Sequence, residues 1–243
     1  MMNIYTYLQR GDAHPHYCED FLFSYDIAQR FQFYAVMDGC SMGQDSHFAS
    51  ALIGKVLKKV LKEMPYHPDI HYAEMQIEEL MRHIFRHFFE TIKAMKNQLL
   101  LDTNEMLATL LALLWDEREK LAYLVASGDG LCAINHEIIE FDQQNHPDYP
   151  AYHLGMPFES WYDIQPQKLI TQPHNLAIST DGVNSYRGKK GLAPEDEEVE
   201  KYFLTESDGG RDPNMLSRKA RRILKEKGWY PLDDVAIIRL ISL

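Results

Sequence analysis

The sequence predicts an α+β fold in which helices are layered over antiparallel sheets. Three observations carry this expectation. Short segments of β-branched, aromatic or aliphatic residues, most of them bounded by Gly, Asp, Asn or Pro, recur along much of the chain. Several are separated only by connections such as "WDEREK" and "SGDG", which suit hairpins and therefore antiparallel neighbours. Helical periods are segregated from the strands: strands come first, then two helices, many strands, one helix and a last strand.

Residues 3–8, 20–25 and 31–37 read as the opening strands. Phe48, Leu52, Val56 and Val60 then recur at helical spacing between Phe48 and Leu61. From Ile77 to Met95 a broad stripe of Ile77, Leu80, Met81, Ile84, Phe85, Phe88, Ile92 and Met95 needs a sheet or another helix to cover it. Strands follow at 106–115, 120–127, 130–134, 137–141 and 175–180. The run "DPNMLSRKARRILKEKG", 212–228, has Asp212 as N-cap, Pro213 at the first helical position and Gly228 beyond the end. A strand at 234–241 closes the chain. The least core-like stretch is 183–211, whose polarity suggests an exposed, flap-like insertion in a single domain spanning residues 1–243.

A formal charge of −11, from 36 acidic and 25 basic residues, argues against nucleic acid or anionic lipid as partner. Cys18, Cys40 and Cys132 are the only cysteines, widely spaced and odd in number, so neither a disulfide framework nor a thiolate zinc site is expected. The N-terminus does not read as a signal peptide, and the apolar run at 107–115 is too short to span a bilayer as a helix. These features fit a cytoplasmic protein.

The stretch "FQFYAVMDG" ends a buried-looking strand on a carboxylate, Asp38, followed by Gly39. Such a group is costly at the edge of a core unless donors or cations meet it, so Asp38 either caps a turn or holds a metal. The pattern recurs in "NLAISTDGV", with Asp181 and Gly182, and in "WYPLDDVAIIRL", with Asp233 and Asp234. Asp129 in "SGDG", and Glu19 and Asp20 in "YCED", add further acids. Singly, each also fits a hairpin turn. Together, carboxylates fixed at strand ends repel one another unless cations neutralise them, and hard divalent ions prefer oxygen ligands of this kind.

In order, "YCEDFLF", "FYAVMDG", "EMLATLLALLWDEREKLAYLVASGDG", "YHLG", "LAISTDGV" and "DDVAIIRL" resemble the motifs of the metal-dependent protein phosphatases, the type 2C serine/threonine phosphatases. The resemblance runs from about residue 10 to the C-terminus. It implies an αββα sandwich of two antiparallel sheets flanked by helices, and two Mg²⁺ or Mn²⁺ ions at one end. Asp38 would bridge the ions and the Gly39 carbonyl would bind the second. Asp181 and Asp233 would complete the first ion's ligands, with Asp234 the next choice for the latter. Glu19 would serve the second ion and Asp20 would act through water, while Asp129 would stand behind the ligands or bind a weak third ion. The implied reaction is hydrolysis of phosphoserine or phosphothreonine in a protein substrate, by a water shared between two metals.

Two positions depart from the family pattern. Pro15 stands where an Arg usually grips phosphate, and Cys40 where a His often protonates the leaving group. "GDAHPHYCED" is similar to a divergent bacterial version in which His14 would hold phosphate or donate a proton. Against hydrolysis stands a second expectation, a catalytically weak or inactive relative that binds phosphoproteins. His16 fits an exposed loop as well as a site, and His47 has a weaker claim than His14. His83 and His87, and the basic run from Arg218 to Lys227, read as solvated helix faces.

Overall fold

The computed structural model describes residues 2–66, 71–143, 146–188, 194 and 198–242. In chain order the elements are β1 (Asn3–Gln9), β2 (Asp20–Ile27), β3 (Phe31–Asp38), α1 (Ser46–Glu63), α2 (Ile77–Leu99), β4 (Leu110–Asp116), β5 (Leu121–Ser127), β6 (Gly130–Ile134) and β7 (Glu137–Phe141). They continue with α3 (Phe158–Tyr162), β8 (Gln167–Thr171), β9 (Asn175–Ser179), β10 (Tyr186–Gly188), α4 (Glu198–Leu204), α5 (Met215–Lys227), β11 (Trp229–Pro231) and β12 (Val235–Ile241). One sheet runs β1-β12-β9-β6-β7 and the other β2-β3-β4-β5-β8, with β10 and β11 paired separately. Every pairing is antiparallel. The expected αββα sandwich is the fold observed.

Period-two alternation distributes side chains between the layers. Along β3, Tyr34 and Val36 face the opposite sheet, whereas Phe31, Phe33, Ala35 and Met37 join the core under α1, α2 and α3. With both faces covered, β3 tolerates a charge only at its end, where Asp38 lies. The stripe of α2 is buried through Ile77, Leu80, Met81, Ile84, Phe85, Phe88, Phe89 and Ile92. Trp161 of α3 stacks on Phe85 and Phe89. On the far side, α4 and α5 cover the other sheet through Phe203, Leu204, Leu216 and Ile223. Among the described residues no helix is long and apolar enough to cross a membrane.

The structure corrects several expectations. The strand expected at 106–115 begins at Leu110, because Thr109 and Ala108 leave the ladder to bond Asp38 and bridge Gly39. β8, β10, β11 and α3 escape notice because they are short. β8, moreover, is a mostly exposed edge strand with Ile170 alone fully buried. α5 starts at Met215 after Asn214 rather than at Pro213, and Asp212 instead accepts the Asn214 N–H and pairs with Arg218. Within the 183–211 stretch, Val183, Tyr186, Val199, Phe203 and Leu204 are buried, so its described ends belong to the core. Residues 189–193 and 195–197 of that stretch lie outside the described residues.

The basic run on α5 is not wholly a solvated face either. Lys219 is buried, and its Nζ donates to the carbonyls of Tyr202 and, at 2.6 Å, Glu206. Arg239 of β12, fully buried, donates Nη1 to the carbonyls of Phe203 (2.8 Å) and Glu206 (2.7 Å), and Nε to Asn175 Oδ1 (2.8 Å). The two cations satisfy carbonyls exposed where α4 ends, which would otherwise be orphaned against the sheet. Arg239→Met should therefore cost about 2–4 kcal/mol and lower Tm by roughly 5–10 °C in thermal unfolding followed by circular dichroism. An unchanged Tm would show that water replaces the lost donors.

Candidate metal centre

The ends of β2 and β3 lie side by side, with Asp20 directly opposite Asp38 in register. The other sheet delivers its acids to the same end. Asp181 opens the turn after β9, and Asp233 and Asp234 precede β12. Thr180 stitches the two sheets together: its hydroxyl donates to Asp20 Oδ2 at 2.7 Å and accepts the Ala236 N–H at 2.9 Å. Thr109 holds Asp38 from the other side, accepting its N–H at 3.0 Å and donating its own N–H to the Asp38 carbonyl at 2.8 Å.

Two glycines allow this convergence. A Cβ on Gly39 would lie 2.0 Å from the Ser46 carbonyl oxygen, and one on Gly182 would lie 1.7 Å from that of Asp234. The Gly39 N–H donates to the Glu19 carbonyl at 3.1 Å. The reciprocal donor, the Glu19 N–H, turns instead to Asp234 Oδ2, which leaves the Gly39 carbonyl without its cross-strand partner.

The paired acids 233 and 234 take different environments. The Asp234 side chain has no exposure and receives the Gly11 N–H (2.7 Å) and the Glu19 N–H, with His14 Nδ1 at 2.9 Å. The Asp233 side chain is 45% exposed and faces a cleft of about 290 Å³ shared with Asp129, Asp181, Glu140 and Asp142. Its backbone N–H is held by Ser185 Oγ at 2.9 Å. Asp129 Oδ1 accepts the Gln143 N–H at 2.8 Å, and Glu19 Oε2 accepts the Ser41 hydroxyl at 2.8 Å. His14 lies among the acids, with Nε2 3.6 Å from Asp233 and 4.0 Å from Glu19.

Charge crowding shows in the protonation equilibria. Burial, then the charges of Asp20, Asp181 and Asp233, push Asp38 well above the usual carboxylate range. Burial likewise raises Asp20, against the hydrogen bond from Thr180. Asp181 is pushed up to about 6 by burial and by Asp233 and Asp129. Burial also raises Asp233 and Asp129. For His14, burial opposes the charged form, but Asp234, Asp233 and Glu19 outweigh it and raise its pKa.

The acids meet pairwise: among the described residues no three His, Cys, Asp or Glu side chains already surround one point as metal ligands would. Their chemistry nevertheless fits a divalent cation. The donors are all oxygens, the buried Asp20 Oδ1 has no hydrogen-bond partner, and among the described residues His14 alone forms an ion pair with Glu19, Asp20, Asp38, Asp129, Asp181, Asp233 or Asp234.

The sequence-level reading missed Thr109, Thr180, Ser185 and Gly11. Thr180 could have been marked by its place directly before Asp181; nothing in the sequence around Thr109, Ser185 or Gly11 sets them beside a site acid. Cys40 packs at the edge of the helix-covered core and meets the Tyr149 hydroxyl. Tyr17 stacks on His47, ring centroids 4.3 Å apart. His83 and His87, on α2, contact Tyr72 and one another, remote in the fold from the acids.

A protein-family profile described as "Protein phosphatase 2C" matches residues 10–217. The fold resembles a bacterial serine phosphatase carrying a single substitution, at 13% identity and a TM-score of 0.69 over 100% of this chain and 99% of that one. Serine/threonine phosphatase Stp1 from Staphylococcus aureus aligns at 13% identity and TM-score 0.66, covering 100% and 96% of the two chains. RsbX in complex with magnesium aligns at 16% identity and TM-score 0.57, covering 100% of both. No curated protein matches the chain by sequence.

The raised pKa of Asp181 fixes a pH dependence. An acid whose folded-state pKa exceeds its unfolded value contributes stability below the unfolded value, and this is lost as pH rises through the folded one. For Asp181 that window runs from about 4 to about 6. In chelator-treated protein, Asp181→Asn should therefore raise Tm at pH 7.5 by an amount worth roughly 1–3 kcal/mol, and the gain should vanish near pH 4. Thermal melts of both variants across that range test it. A pH-independent gain would place the effect in packing.

Proposed function

The chain belongs to the protein phosphatase 2C family, and on that premise we propose that it is a metal-dependent phosphatase acting on phosphoserine and phosphothreonine in proteins. The observation that carries this reading is the meeting of Asp38, from one sheet, with Asp181 and Asp233, from the other, at one end of the sandwich. Family members are metal-dependent, and the RsbX relative was solved with magnesium.

Asp38, Asp181, Asp233, Glu19 and the Gly39 carbonyl would hold two Mg²⁺ or Mn²⁺ ions, with Asp20 acting through water. Asp129 would take a weaker third ion or support the others. Bound there, the ions supply an activated water and an electrostatic clamp on the phosphoryl oxygens. The chain's own residues hold that arrangement in place. Thr180 and Thr109 fix Asp20 and Asp38, and Asp234 anchors the Glu19 backbone and His14. His14, whose pKa its acidic neighbours raise, would lend a proton or a positive charge to the phosphate. Free cysteines support a reducing, cytoplasmic setting for a phosphoprotein substrate.

Pro15 and Cys40 favour a second reading, in which the centre binds a phosphorylated partner and turns it over slowly or not at all. An assay with an aryl phosphate and a phosphothreonine peptide separates the two. Mn²⁺-dependent hydrolysis is expected, abolished by chelation and restored by Mn²⁺, with Asp38→Asn lowering kcat by about 10²–10³-fold. Peptide turnover should be the weaker, because an alkoxide leaves less readily than an aryl oxide. Inactivity on both substrates with Mn²⁺ still bound supports the binding reading. Full activity of the Asp38 variant removes that residue from the mechanism.

A further inference from the structure

The rim of the carboxylate centre carries an aromatic pair that the proposed hydrolysis does not use. Tyr17 precedes Glu19 by two residues, and its ring lies flat against that of His47, with centroids 4.3 Å apart and planes 13° from parallel. The two come from separate segments, the loop before β2 and the first turn of α1. Both segments are fixed to the centre. The Glu19 N–H is bound by Asp234, and Glu19 Oε2 accepts the Ser41 hydroxyl at 2.8 Å. Ser46, next to His47, holds its carbonyl oxygen so close to Gly39 that a Cβ there would meet it at 2.0 Å. The Gly39 N–H in turn donates to the Glu19 carbonyl at 3.1 Å. The stack therefore joins the two segments that border the Glu19–Gly39 edge of the centre.

Tyr17 is nevertheless 62% exposed. His47 covers one face and His16 comes no nearer than 6.4 Å, tilted, so much of the ring is open to a ligand. A ring already held in place loses little rotamer freedom on binding. Its surroundings select the occupant. The face of a Tyr ring attracts cations, and acids flank both roots of the stack: Glu19 on one side and the exposed Asp45, at the N-cap of α1, on the other. Among the described residues the Lys and Arg side chains that lie over aromatic rings use rings other than that of Tyr17.

We infer that the Tyr17–His47 stack receives the guanidinium of an arginine two positions from the phosphorylated residue of a protein substrate. The inference rests on the phosphoprotein reading of the centre and deepens it, from phosphoserine and phosphothreonine in general to those with a basic neighbour. In an extended peptide, side chains two positions apart point to the same face and lie about 7 Å from one another. The same length of chain separates Tyr17 from Glu19. Arginine suits the platform better than lysine because its planar guanidinium stacks on a ring.

The test is calorimetric titration of Mn²⁺-loaded protein with peptides in which a non-hydrolysable phosphonate replaces the phosphate of phosphothreonine, with Arg, Gln or Phe placed two residues to either side. Wild type should bind the Arg peptide about two- to fivefold more tightly than the Gln peptide, as one exposed cation–π contact implies. Tyr17→Phe should keep that preference, whereas Tyr17→Leu and Tyr17→Ala should abolish it with Tm unchanged. Tyr17→Leu leaves every charge in place and so separates stacking from the field of the acids. Orthophosphate, which carries no side chain, should bind wild type and the three variants alike. Equal wild-type affinity for the Arg and Gln peptides, tighter binding of the Phe peptide, or an Arg preference that survives Tyr17→Leu would overturn the inference. Hydrolysis of the matching phosphothreonine peptides keeps the two readings apart. Turnover with no Arg preference sinks this inference alone. A Tyr17-dependent Arg preference in a protein that turns over none of the peptides upholds the platform and sinks the hydrolytic reading.

Discussion

Apolar packing between two sheets holds mutually repelling carboxylates at one end of the sandwich, and the rest of the centre depends on that constraint. Asp20 and Asp38 face each other across neighbouring strands, and Asp181 and Asp233 close on them from the other sheet. Nothing in their own energetics favours that meeting. It is imposed by apolar strands whose inner faces, from Tyr34 and Val36 to Ile178 and Ile238, bury against each other. The hydrophobic effect sets the sheet spacing, and the acids take the positions it leaves.

The fold restrains the cluster with hydrogen bonds that leave carboxylate oxygens available. Thr180 occupies one oxygen of Asp20 and leaves the other unpartnered. Thr109 bonds the Asp38 backbone and not its carboxylate. Asp234 is the exception, since its oxygens take two backbone N–H groups and lie against His14. That explains why two adjacent acids of the same type divide their tasks: the buried one organises the loop at 11–19, and the half-exposed one faces the cleft.

The long elements were legible in the sequence because their patterns are redundant. The stripe of α2 repeats over several turns, and β3, β4 and β12 are nearly uninterrupted apolar runs. α3 and α4 span too few turns for a period to emerge, and the exposed edge strand β8 has too little apolar content. The acids themselves were visible as carboxylates at strand ends, yet their convergence was not, because spacing along the chain carries no information about which end of which sheet a strand presents. The roles of Thr109 and Thr180 were illegible for a related reason. A hydroxyl acquires its role only from the strand placed opposite it, and both Thr side chains bond across the fold.

Two positions, 15 and 40, depart from the family pattern, and they have different surroundings. Where an Arg would be, Pro15 offers only a carbonyl, and a guanidinium from five residues earlier is bound to it. At residue 40 a thiol sits at the edge of the helix-covered core, against a buried Tyr149 hydroxyl whose pKa burial drives upward. Both substitutions leave the carboxylates and their threonine supports intact. In the phosphatase reading, the carboxylates that would hold the ions are thus separable from the groups that would grip the substrate and protonate its leaving group, and both departures fall on the latter.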